Sequence, residues 1–83
     1  MSEQSRYRLR KAAGLFWLID MEQSGKPVML NDTGALIWEK YERLKSERAV
    51  AEEISREFGI PAEEGLEDVR QFLSQLKSQG LEL

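Results

Sequence analysis

The chain of 83 residues contains no cysteine and no histidine, so its reactive inventory is short. Thiolate nucleophiles, disulfides, zinc sites of the usual kind and histidine-based proton transfer are all excluded. What remains are carboxylates, and adjacent pairs such as Glu63 with Glu64 and Glu67 with Asp68 could share a proton. A carboxylate becomes a useful acid or base at neutral pH only when burial or a like charge raises its pKa. These four fall in a predicted exposed turn at the start of a helix, where acidic side chains complement the helix dipole, and the chain is too short to enclose them. No glycine-rich phosphate loop is present, and no cofactor is expected. The reading is of a protein that binds rather than one that catalyses.

Three features could bind. Arg6, Arg8 and Arg10 alternate with Tyr7 and Leu9, which places the three cations on one face of a strand and the two apolar residues on the other. That strip either meets an acidic ligand or is a solvated face that discourages edge pairing. Trp38 is the second feature; its position on an apolar helical stripe assigns it to the core, since large aromatics dominate burial in small domains. The third is the segment Pro27, Val28, Met29 and Leu30, a short β-forming run headed by a residue with no N–H to donate, which marks an edge strand.

The elements that position these residues follow from periodicity. Residues 1–5 are polar and expected to be frayed. Residues 6–30 hold β-formers with two turn signals, one at Ala13 and Gly14, the other at Glu22, Gln23, Ser24, Gly25 and Lys26. Between them Leu15, Phe16, Trp17, Leu18 and Ile19 are apolar on both faces, as in a central strand. Asn31, Asp32 and Thr33 can each cap the helix that begins next, predicted over residues 32–43 with Ala35, Leu36, Ile37, Trp38 and Tyr41 as its apolar face. Val50, Ile54 and Phe58 recur every four residues, giving a second helix over 47–58 with Ser46 as cap and Gly59 as stop. Pro61 opens a third, with Leu66, Val69, Phe72, Leu73 and Leu76 as its stripe and Gly80 with Leu81 closing it. The predicted fold is α+β, a three-stranded antiparallel sheet followed by three helices, one domain over residues 1–83 with the outline of a winged helix-turn-helix.

Order and spacing across these elements carry a resemblance. The run Leu30, Asn31, Asp32, Thr33, Gly34 and Ala35 through Ile37 and Trp38, with Glu53 and Ile54 in mid-chain, is similar to the PqqD-like proteins. So are Asp68, Val69, Phe72, Leu73, Leu76, Gly80 and Leu81 near the end. The resemblance extends back to Arg10, Lys11, Ala12, Ala13 and Gly14. One departure stands at Val50, where the family pattern has serine or threonine about four residues before the isoleucine. These proteins share their fold with the recognition elements that bind the leader of a ribosomally synthesised precursor peptide. The resemblance implies that such a leader adds a strand antiparallel to the third strand, in the groove beside the third helix, and is presented to a modifying enzyme, often a radical SAM protein. Carried over, the peptide-binding residues are Val28, Met29 and Leu30 on the strand and Val69, Arg70, Leu73 and Lys77 on the helix. Arg70 and Lys77 are the cations expected to meet an acidic leader.

Charge weighs the alternatives. Residues 1–31 sum to +2 and residues 32–83 to −5, together the −3 of the whole chain. Nucleic-acid affinity comes mainly from neutralised phosphates, and both the second and third helices are acidic, so DNA binding in the winged-helix manner is disfavoured. The longest apolar run, residues 15–19, is far short of the ~20 residues that span a bilayer. Neither membrane nor nucleic acid is an expected partner, and the cytoplasm is the expected compartment. The competing function is a subunit that docks on a larger enzyme or pairs its edge strand with a second copy, and a monomer or weak homodimer is expected.

Overall fold

The computed structural model describes residues 6–22 and 27–81. The expectations for residues 1–5 and for the loop at 23–26 lie outside the described residues. Three strands and three helices follow in order: β1 (Tyr7–Ala12), β2 (Leu15–Asp20), β3 (Val28–Leu30), α1 (Asp32–Leu44), α2 (Glu47–Phe58) and α3 (Ala62–Ser78). This is the α+β arrangement expected from the sequence; its likeness to a winged helix is loose. The chain divides into two compact units, Met1–Ala35 and Leu36–Leu83.

In the first unit the sheet has the order β1-β2-β3, all antiparallel, so the doubly apolar β2 is central and β3 is an edge. Ala13 and Gly14 join β1 to β2 with φ of 55° and 76°. Two successive residues at positive φ make the tight hairpin turn whose twist matches that of the flanking strands. Gly14 adopts this readily, whereas Ala13 does so against its Cβ. At the far end of the hairpin Arg6 reaches Asp20 with two bonds, Nε to Oδ1 at 3.0 Å and Nη2 to Oδ2 at 2.8 Å. Arg6 therefore departs from the solvated strip expected of it. A planar guanidinium meeting a carboxylate in this forked geometry is a stronger contact than a point charge makes.

The β3 to α1 junction settles which residue caps α1. Asn31 Oδ1 accepts from the Gly34 N–H at 2.7 Å and the Asn31 carbonyl accepts from the Ala35 N–H at 2.9 Å, so Asn31 is the cap. In the second unit α2 begins at Ser46, whose side chain accepts from the Ala49 N–H, and ends at Gly59 in the left-handed conformation, φ 65°. Both caps are those expected from the sequence. Pro61 precedes α3 as its cap residue, and α3 closes with Gly80 at φ 99° and the Leu81 N–H bonded to the Leu76 carbonyl at 3.1 Å.

The helical core comprises Ile37, Val50, Ala51, Ile54, Val69 and Leu73, with Leu36, Tyr41, Leu44, Ile60, Leu66 and Phe72 packed around it. Val50, the departure from the family pattern, is fully buried there. Trp38 is 2% exposed and is a core residue, its ring 6.5 Å from that of Tyr41. Gly65 lets α3 lie against α2: a Cβ built on it would stand 2.9 Å from the Ala51 carbonyl oxygen.

Candidate functional site

The edge strand has a direction that one hydrogen bond fixes. The Met21 N–H donates to the Arg6 carbonyl at 2.7 Å, so that opposed pair is a hydrogen-bonded one. Bonded and non-bonded pairs alternate along an antiparallel ladder. With Tyr7 opposite Asp20, Arg8 opposite Ile19 and Arg10 opposite Trp17, it follows that Ile19 and Trp17 turn their main-chain groups toward β1. Phe16 and Leu18 then turn theirs toward β3, where their partners are Leu30 and Val28. Met29, opposite Trp17, is left with both N–H and C=O directed away from β2, at the open edge. Pro27 is in phase with Met29, so its missing donor is lost from the outward side and costs the sheet nothing.

Side chains sort onto two faces by the same register. Tyr7, Leu18 and Leu30 occupy one face and are buried, with Leu9, Phe16 and Val28 half-buried beside them. The opposite face carries Arg8, Arg10, Leu15, Trp17, Ile19 and Met29. Here Met29 is 58% exposed and Leu15 42%. The Trp17 Nε1 donates to the Ala12 carbonyl at 3.3 Å, which turns the indole toward β1. Beyond the end of β3 a recess of about 380 Å³ is lined by Gly14, Leu15, Phe16, Leu30, Asn31, Asp32 and Thr33.

The helical candidates of the second unit divide. Val69 and Leu73 are 0% and 3% exposed inside the helical core, so both face neighbouring helices rather than solvent. Arg70 and Lys77 are exposed. Arg70 is already engaged, its Nε 3.3 Å from Glu47 Oε1, so an acidic ligand would compete with that carboxylate. Glu63, Glu64, Glu67 and Asp68 are all exposed, as their place at the start of α3 requires.

One cluster went unread in the sequence. Lys40 is buried, and its Nζ lies 2.7 Å from Glu57 and 3.0 Å from Glu53, while Arg43 Nη2 also meets Glu53 at 2.8 Å. Hydrogen bonds to Glu57 and then Glu53 raise the Lys40 pKa, and hydrogen bonds from Arg43 and then Lys40 lower that of Glu53. The signal was there: Lys40 is four residues from Leu36 and three from Ile37, inside the apolar stripe of α1, and a lysine so placed needs buried or half-buried carboxylates to meet it. The cluster ties α1 to α2. Beside it, Glu53, Arg56 and Glu57 line an open recess of about 260 Å³. Among the described residues no group of three or more carboxylates is placed to hold a metal ion, and no helix is long and apolar enough to cross a membrane.

The family model for coenzyme PQQ synthesis protein D (PqqD) matches residues 3–81, nearly the whole chain. No curated protein and no solved structure matches it.

Proposed function

The chain belongs to the PqqD family, and from that premise we propose that it is a non-catalytic module that captures the leader of a ribosomally synthesised precursor peptide and presents it to a modifying enzyme. Capture takes the form of strand addition at β3. The observation that carries this reading is the outward direction of the Met29 N–H and C=O, a donor and an acceptor turned away from β2 on an uncharged edge strand. A peptide running antiparallel to β3 exchanges both bonds with Met29, each contributing on the order of 1 kcal/mol net. In this reading Val69 and Leu73 act by fixing α3 from within, and Arg70 and Lys77 are its surface cations. Exposed charge pairs contribute about 0.2–1 kcal/mol and are screened by salt, so the main chain rather than these cations carries affinity.

Met29→Pro removes the outward donor while leaving the bonds of Val28 and Leu30 to β2 in place; Met29→Leu keeps the backbone and roughly the volume. With a synthetic leader peptide from a precursor gene neighbouring this one, titration calorimetry should show the proline variant folded but at least about tenfold weaker, equivalent to ~1.4 kcal/mol. The leucine variant should bind nearly as the parent does. Full affinity in a folded Met29→Pro protein would sink strand addition at this edge. It would favour the second reading, a subunit that docks on a larger enzyme, which the exposed apolar residues Leu15 and Met29 also support.

A further inference from the structure

We infer that the captured peptide is also selected on the open face of the sheet, by a large apolar side chain at the single peptide position that pairs with Met29. The inference rests on the strand-addition reading above. A residue that exchanges both main-chain bonds with Met29 lies directly opposite it, and opposite residues of an antiparallel pair project to the same face. That is the face on which Leu15, Trp17 and Ile19 lie across from Met29.

Its composition runs against the ordinary rule. The solvated face of an antiparallel sheet is usually polar, and edge strands are usually guarded by charge, often lysine. Strand β1 obeys, with Arg8 and Arg10 on this face, but β2 and β3 present Leu15, Trp17, Ile19 and Met29, and the edge strand Val28–Leu30 carries no charge at all. Because the indole of Trp17 is held toward β1 by its bond to Ala12, the outer flank of the Met29 thioether is the apolar surface a newly added strand meets first. An unbranched, polarisable side chain adapts to several partners, so the selected class is leucine, isoleucine, methionine or phenylalanine rather than one residue.

Distance decides against an acidic residue at this position. The added strand would lie three strand spacings from β1, about 14 Å, whereas the screening length at physiological salt is about 8 Å. Arg8 and Arg10 therefore add little to a carboxylate opposite Met29, and burial of apolar surface sets the preference.

The test uses a phage-displayed library of random nine-residue peptides, selected separately on the full chain and on Met29→Lys, with Met29→Thr as a second variant and circular dichroism confirming that each is folded. Binders are synthesised singly, and the peptide residue opposite position 29 is located by nuclear Overhauser contacts to the side chain at that position, the Met29 methyl in the parent and the substituted side chain in each variant. On the parent protein that residue should be large and apolar, and replacing it with lysine should weaken binding about fivefold. On Met29→Lys the same position should switch to aspartate or glutamate; on Met29→Thr the apolar preference should fade. Binders that protect the Met29 amide from exchange but tolerate any residue opposite it, or a selection unchanged in Met29→Lys, would overturn the inference and leave strand addition standing. A panel in which no binder protects the Met29 amide would remove strand addition itself, and the inference with it.

Discussion

At the scale of single residues, the charge cluster of α1 and α2 makes a prediction about pH. The Glu53 carboxyl is held below its ordinary 4.5 by the hydrogen bond from Arg43 first and that from Lys40 second. Between the depressed value and 4.5 the unfolded chain binds more protons here than the folded protein, so stability rises with pH through that window. The contribution is complete above 4.5 and lost as pH falls through the folded value. Lys40 works at the other end: its raised pKa keeps its share in place up to 10.5 and surrenders it only as pH climbs through the folded value. Urea midpoints measured from pH 6 down to pH 3 should therefore fall less in Glu53→Gln than in the parent, and parallel falls would show that the cluster is not coupled to folding. Lys40 was legible, being a lysine inside an apolar stripe. Arg6 was not, because its partner Asp20 is 14 residues away and is brought to it only by the hairpin register.

At the scale of elements, most boundaries were written locally. Ser46, Gly59, Pro61 and Gly80 act through their own backbone neighbourhoods, and the helices begin and end where these residues say. The choice among Asn31, Asp32 and Thr33 was not local, since all three can cap and only the path of the chain out of β3 selects Asn31. The outward phase of Met29 was foreshadowed by Pro27, and the ladder reaches the same phase from the Arg6 end. It predicts an alternating exchange pattern: in the unbound protein the Val28 and Leu30 amides, bonded to β2, should exchange slowly and the Met29 amide fast. Equal protection of all three would place a partner already on the edge. The approach of α3 to α2 at Gly65 could not be read from sequence, because it depends on the separation of two helices. Gly65→Ala should gain about 1 kcal/mol in helix propensity but must push its Cβ away from the Ala51 carbonyl, and overpacking of this kind typically costs ~1–3 kcal/mol. We expect a net loss of about 1 kcal/mol in chemical denaturation; a gain would mean that the helices separate freely.

At the scale of the whole molecule, the charge of −3 is unevenly held, and the exposed acidic start of α3 is the wrong surface to lay against phosphates. The winged-helix outline is thus a matter of element order, and in the function proposed above the chain works through an edge three residues long. The turn at Ala13 bears on the stability of the sheet. An alanine held at φ 55° stores strain that glycine would not, and no Cβ contact at the neighbouring Gly14 suggests crowding there. Ala13→Gly relieves that strain but adds freedom to the unfolded chain, whereas Ala13→Asn tolerates the left-handed region without that entropic loss. The asparagine variant should melt higher, by about 4–8 °C for each kcal/mol recovered, and by more than the glycine variant. A natural chain that forgoes so accessible a gain in heat tolerance is one whose persistence has been decided by something other than its melting temperature.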